Sequence, residues 1–191
     1  MPLPTFAVVD LETSGLSTRR HRILQVGLVT VTADGTVVDE WSSLVKLRWP
    51  LQRVGPTDIH GIRRRHLKDA PQLADTLDEL GNRLHGSIFT AHNAAFDAAF
   101  LARATRRRPA DDRLRAGLSP LLCTLRLSRR LDPNREQSHR LADVCARYDV
   151  VLDRPHDALG DATATAAVLP HLLGAHGITD ASQLAPFYVS L

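Results

Sequence analysis

Four carboxylates and a histidine stand in three short motifs whose residue types could share one reaction. Asp10 and Glu12 lie in the stretch from Phe6 to Gly15, Asp97 closes the run His92-Asn93-Ala94-Ala95-Phe96-Asp97, and His156 and Asp161 bracket a third. Carboxylates held side by side repel one another, and a hard divalent cation such as Mg²⁺ or Mn²⁺, which prefers oxygen ligands, relieves that cost. The chemistry suggested by Asp10 and Glu12 is therefore metal-assisted. Thr13, Ser14 and Gly15 follow as a turn that is expected to leave backbone N–H groups and a hydroxyl near the same spot.

The elements that would position these groups can be read from apolar periodicity. Phe6 to Val9 is a short apolar run with two β-branched residues, which predicts a buried strand ending in Asp10. A strand alternates faces, so Asp10 and Glu12 project to one side and Leu11 to the core. Residues 23–32 and 36–47 predict two further strands, joined at Asp34-Gly35, a hairpin signal because the turn needs positive φ. Thr57 to Ile62 reads as a short helical turn. Asp69 and Pro71 mark a helix start, with Leu73, Leu77, Leu80 and Leu84 as its buried stripe. Ser87–Ala91 predicts a fourth strand. Asn93 is then expected to cap a helix bearing Phe96, Phe100, Leu101 and Ala104, with Asp97 in its first turn and Arg103 and Arg106–Arg108 as a solvated cationic end. Residues 109–117 read as a loop and 118–124 as a fifth strand. Ser138 is expected to cap a helix turning Leu141, Val144, Cys145 and Tyr148 inward. A last helix over 158–173, carrying Pro170, buries Leu159, Val168 and Leu172. Ligand sites form at strand ends in such α/β sheets, so Asp97 and Asp161 could face the crevice of Asp10 and Glu12.

Composition narrows the class. The chain has 191 residues, 43% hydrophobic and 24% charged, which fits one globular α/β domain. The N-terminus lacks a signal-peptide pattern and no apolar run reaches a membrane span, so a cytoplasmic protein with no membrane partner is expected. Cys123 and Cys145 have no metal-ligand spacing and read as core residues of a reducing compartment. Net charge is +3, and lysine occurs only at Lys46 and Lys68, so arginine carries almost all the positive charge. Arginine grips phosphate bidentately, which is consistent with a nucleic-acid partner, although a genome rich in arginine codons would give the same excess.

The ordered set Asp10-x-Glu12-Thr13, Ile59-His60-Gly61-Ile62, His92-Asn93-x-x-Phe96-Asp97 and His156-x-x-x-x-Asp161 resembles the DEDD exonucleases of the DnaQ-like, histidine-containing branch, DEDDh, which includes DNA polymerase III epsilon proofreading subunits, ribonuclease T and oligoribonuclease. The resemblance spans about residues 5–174 and shows no departure at the acidic or histidine positions. It implies one exonuclease domain over 1–191 with a ribonuclease H-like fold, a mixed five-stranded sheet flanked by helices. It further implies two divalent ions, Mg²⁺ or Mn²⁺, held by Asp10, Glu12, Asp97 and Asp161, with Asp10 bridging them and His156 as general base toward the attacking water. Two such ions, about 3.5–4 Å apart, stabilise both the attacking and leaving sides of a phosphodiester. A histidine titrates near neutrality, so activity is expected to rise as pH passes through its pKa.

By the same resemblance the 3′-terminal nucleotide lies against Thr13, Leu16, His60, Asn93 and Phe96. The implied activity is 3′→5′ hydrolysis of DNA or RNA ends, releasing nucleoside 5′-monophosphates. The implied partners are single-stranded 3′ ends, a DNA polymerase subunit and a second copy of the chain, as in some relatives. The rivals are an RNA-trimming exoribonuclease and a noncatalytic, polymerase-associated binding module. Clustered carboxylates without metal would repel a phosphate backbone, which argues against the module. Arg129, Arg130, Arg135 and Arg140 could meet the incoming strand. Aromatics total only 5%, so no extended stacking platform is expected. The short stretch 175–191 favours a free-standing enzyme over one docked through a tail.

Overall fold

A computed structural model describes residues 2–48, 52–106 and 112–191. Strand β1 (Thr5–Thr13) lies inside a mixed sheet of order β3-β2-β1-β4-β5-β6. Its antiparallel neighbour is β2 (Ile23–Val31), followed by β3 (Val37–Leu44) at the edge. On its other side β4 (Ser87–Ala91) and β5 (Leu121–Cys123) run parallel, and β6 (Tyr188–Val189) closes the sheet antiparallel to β5. The sheet therefore has six strands, one more than expected. The added strand is two residues long, too short for alternation to reveal it, and it follows a 3₁₀ segment at Ala181–Phe187 that packs Leu184 and Phe187 into the core. The stretch 175–191 is thus part of the fold.

The hairpin at Asp34-Gly35 forms as expected: Gly35 has φ +90° and its N–H donates to the Thr32 carbonyl at 3.0 Å. Strand β1 continues past Asp10, with an irregular register between Glu12 and Thr13. Its alternation divides the core. Ala7, Val9 and Leu11 face a cluster with helices α2 (Leu73–Leu84), α3 (Ala94–Thr105) and α4 (Asp112–Gly117). Phe6 and Val8 face the opposite cluster with α5 (Thr124–Arg130), α6 (Leu141–Arg147) and α7 (Ala158–Ala175). Asp10 and Glu12 follow the even positions and so lie on the α7 side. The short α1 (Thr57–His60) and a 3₁₀ turn at Arg64–Leu67 complete the order.

Several local expectations are corrected. Of the expected loop over 109–117, residues 112–117 are helical because Leu114 buries against the close approach at Gly81 of α2; 109–111 lie outside the described residues. The fifth strand begins only at Leu121, after Pro120, which has no N–H for a ladder, and Thr124 already belongs to α5. Helix α2 starts at Leu73 with Gln72 at its N-cap, not at Asp69. Asn93 occupies the N-cap of α3 but in the left-handed region (φ 77°), and its side chain caps nothing. Ser138 stands two residues before the α6 cap, Arg140, and its hydroxyl bonds Asp143 instead. Helix α7 runs through Pro170 to Ala175, and Leu159 is only half-buried. Both cysteines are free and buried. Among the described residues no helix is long and apolar enough to cross a membrane.

Candidate active site

Three elements converge on the end of β1. Asp10 and Glu12 point toward α7, Asp97 comes from the first turn of α3, and Asp161 from the first turn of α7. Asp97 is 3% exposed, and the Leu11 and Asp97 backbone groups act to lower its pKa, which places its carboxyl beside the middle of the acidic stretch. Burial nevertheless pushes its carboxyl well above the usual range, as does the Glu12 charge. Asp10 is raised likewise, first by burial and then by Asp97, Asp161, Glu12 and Asp157. Glu12, 9% exposed, is lifted from 4.5 to about 8 by burial and by Asp161 and Asp157. Asp161 is raised by burial, though the His156 N–H and the His156 charge oppose the shift. Asp10 feels the charges of Asp97, Asp161 and Glu12, Glu12 that of Asp161, and Asp97 that of Glu12, so the fold brings the four acids together.

His156 joins them from the loop before α7. It sits in the left-handed region (φ 63°), and its N–H donates to Asp161 Oδ2 at 3.1 Å. Glu12, His156 and Asp161 offer donor atoms within 4.8 Å of one another. Four mutually repelling carboxylates, Glu12 and Asp97 buried and Asp10 and Asp161 half-buried, with one exposed imidazole beside them fit hard divalent cations by donor chemistry, and burial of this kind favours the protonated acid until a cation relieves it. Thiol ligands are absent from the group.

Two residues that periodicity did not single out hold this arrangement. Asp157 is the N-cap of α7, accepting from the Gly160 N–H at 3.0 Å. Gln25, paired with Glu12 across β1 and β2, donates to Asp157 Oδ2 at 3.1 Å and accepts from the Ala158 N–H at 3.3 Å. Beside them Gly27, opposite Asp10, lets α7 come so close that a Cβ would stand 2.2 Å from the Ala158 carbonyl oxygen. Backbone contact between β2 and the start of α7 therefore sets where Asp161 and His156 fall. An aspartate preceding an apolar helical run was the only sequence signal for any of the three.

The five expected substrate contacts are unequal. Leu16 is 84% exposed on the turn after β1, a large apolar side chain with little protein around it. Phe96 is half-buried against Phe100, with ring centroids 5.1 Å apart. Asn93 is exposed with its amide uncommitted to the cap. Thr13 is buried and its hydroxyl donates to the Gly15 carbonyl at 2.9 Å, a bond that shapes the turn. The Ser14 N–H pairs with the Arg22 carbonyl at 2.9 Å, so that donor is not open to a ligand. His60 is 7% exposed; its Nδ1 accepts from the Ile62 N–H at 3.0 Å, and Nε2 is buried with no partner among the described residues. His156 lies near enough for its charge to help burial lower the His60 pKa.

His92 serves the frame. One ring nitrogen contacts Thr124 Oγ1 at 3.0 Å and the other the His139 carbonyl at 2.9 Å, fastening the end of β4 to α5 and to the segment before α6. Of the four arginines expected near a strand, Arg130 lies over the Phe187 ring at 5.1 Å and Arg140 is the α6 N-cap residue.

A mixed sheet whose central strand delivers two carboxylates, met by acids from flanking helices, defines a nuclease of the ribonuclease H-like class. The chain belongs to the DnaQ-like DEDDh exonuclease family: the family's sequence profile, RNase_T (Exonuclease), matches residues 7–169. Among curated relatives, the PolC-type DNA polymerase III of Oceanobacillus iheyensis is 34% identical over 165 residues, 86% of this chain and 11% of that protein. The Bacillus subtilis protein of the same name is 31% identical over 169 residues, 88% and 11% respectively. The chain thus spans about a tenth of the length of these polymerases. Exonuclease X in complex with 5′ overhanging duplex DNA superposes with a TM-score of 0.69 at 27% identity, over 95% of this chain and 98% of that one. E. coli exonuclease I in complex with a dT13 oligonucleotide shares the fold, with a TM-score of 0.74 at 17% identity, over 91% and 42%.

Proposed function

We propose that this chain is a divalent-metal-dependent 3′→5′ exonuclease that removes nucleoside 5′-monophosphates from single-stranded 3′ ends of DNA. The observation that carries the reading is the convergence of Asp10, Glu12, Asp97 and Asp161, with His156 beside them, at the end of one central strand. Those four carboxylates would hold two ions, Mg²⁺ or Mn²⁺, which when bound stabilise charge on the phosphoryl oxygens and on the leaving 3′ oxygen.

The protein's own groups do the rest. His156, held at the mouth by its N–H bond to Asp161, accepts the proton of the attacking water. Asp157 and Gln25 fix the start of α7 and with it the positions of Asp161 and His156. Leu16 and Phe96 offer apolar surface to the terminal base, while the exposed Asn93 amide donates to its sugar and phosphate. Thr13 keeps the turn in shape. DNA is preferred on the likeness to DNA polymerase III and Exonuclease X, and the polymerase likeness makes a replicative polymerase a partner to test by co-purification.

The test is a gel time course on DNA and RNA oligomers labelled separately at each end, with Mg²⁺, Mn²⁺ or EDTA, comparing wild type with Asp10→Ala. A metal-dependent ladder shrinking from the 3′ end of DNA, absent in the variant, is expected. Cleavage from the 5′ end, or turnover in EDTA, overturns the reading; faster RNA turnover overturns the sugar preference.

A further inference from the structure

A cavity of about 640 Å³ opens between the β1–β2 connection, the segment after β3 and α3, and is rimmed by cations from these three segments. Arg19 and Arg22 come from the β1–β2 connection, Lys46 and Arg48 from the segment after β3, and Arg103 and Arg106 from the last turn of α3 and its C-cap. No carboxylate is among its described lining residues, and Arg19, Arg22, Lys46, Arg103 and Arg106 form no ion pair with any described residue. Ile23, Val45, Leu73 and Phe100 give it an apolar floor. Five side-chain cations, Arg19, Arg22, Lys46, Arg103 and Arg106, held around one hollow repel each other, so their placement favours a polyanion.

The cavity's lining residues touch residues next to the site. Phe100 is the ring against which Phe96 rests, and Ala104 is a further turn along the same side of α3 as Asp97. Ser14, two residues beyond Glu12, exchanges hydrogen bonds with Arg22 through its N–H and its hydroxyl, each at 2.9 Å. Along α3, at about 1.5 Å per residue, Arg103 and Arg106 stand roughly 9 and 14 Å from Asp97. At about 3.4 Å per nucleotide of a stacked strand, that distance corresponds to about three to four nucleotides.

We propose that this cavity binds the backbone phosphates of the substrate strand about three to four nucleotides upstream of the scissile bond. The assignment rests on the exonuclease reading for its direction, and it makes the domain a reader of substrate length. A trimer engages the acids alone, whereas a strand of six or more nucleotides also engages the arginines. Each phosphate contact on a single strand adds about 0.7 to the slope of log K against log salt.

The experiment measures anisotropy-detected binding of a labelled DNA 12-mer and a trimer across a salt series, and kcat/KM on the 12-mer and on a 4-nitrophenyl ester of thymidine 5′-monophosphate in Mn²⁺. The proteins are wild type, Arg22→Ser/Arg103→Ser and, because Arg103 also faces the α3 dipole, Arg19→Ser/Lys46→Ser. The expected result for each pair is at least tenfold weaker 12-mer binding, a slope smaller by about 1.4, unchanged trimer binding, and a 12-mer-to-ester kcat/KM ratio that falls by the same factor. Wild-type 12-mer affinity and slope in both pairs would overturn the proposal, as would equal losses on trimer and 12-mer. Failure of wild type to hydrolyse the ester counts against the exonuclease reading and leaves the binding comparison to decide the cavity.

Discussion

Replacing Glu12 by glutamine is expected to stabilise the metal-free protein at alkaline pH while abolishing its activity. Burial beside Asp161 and Asp157 lifts the Glu12 pKa from 4.5 to about 8. Between those values the folded chain keeps a proton that the unfolded chain has lost, so stability falls as pH rises through that window. A tenfold change in proton affinity is about 1.4 kcal/mol, so the full displacement corresponds to on the order of 5 kcal/mol at and above about pH 8. Glutamine keeps the shape and hydrogen-bonding capacity of the protonated acid and has no proton to lose. At roughly 2–4 °C per kcal/mol for a domain of this size, the variant should melt on the order of 10 °C above wild type in EDTA at about pH 8.5. The two should converge by about pH 5. Adding Mg²⁺ or Mn²⁺ should raise wild type more than the variant, because the cation then does what the proton did. Calorimetric melts across pH, with and without metal, measure all of this. Superimposable melting temperatures in EDTA from about pH 5 to 9 would refute the idea that these acids are held against their own repulsion.

Further outcomes follow from the same geometry. Because Asp10, Glu12, Asp97 and Asp161 all have raised pKa values, Mn²⁺ binding at pH 7 should release protons and tighten as pH rises toward about 8, measurable by titration calorimetry in buffers of differing ionisation enthalpy. Gln25→Ala and Asp157→Ala, which remove the two side chains that fix the start of α7, should each lower activity or metal affinity roughly 10–100-fold, and a double variant should lose little more than the worse single one. Gly27→Ala, whose methyl would meet the Ala158 carbonyl, should cost about 1–3 kcal/mol in thermal stability and more in activity than that loss explains. Leu16→Ala should raise KM severalfold with no measurable change in melting temperature, since the side chain packs on little of the protein.

The sequence disclosed those features in which periodicity alone decides position. Alternation in β1 put Asp10 and Glu12 on one face and Leu11 on the other, and the structure has Leu11 in the α2–α3 core. Asp34-Gly35 announced its hairpin because positive φ is a local demand. Helix caps were less legible: Asn93 and Ser138 have capping side chains, yet whether they cap depends on backbone angles fixed by distant packing. Helix α4 was hidden because a single buried leucine, Leu114, supplies its contact to the core. Gln25, Gly27 and the arginine-rimmed cavity were invisible for one reason. Their meaning lies in what stands opposite after folding, and no spacing along the chain records it.

The close seat of α7 on β2 at Gly27 also orders events during synthesis. Chains emerge N-terminus first, so β1 leaves the ribosome with Asp10 and Glu12 long before His156 and Asp161 follow. Until α7 is out and docked, a nascent chain has three of the four carboxylates, no His156 at the site and an uncovered groove at Gly27. The acidic cluster is thereby completed only when α7 docks, so affinity for a divalent cation is expected to arrive with the last main helix and not with β1.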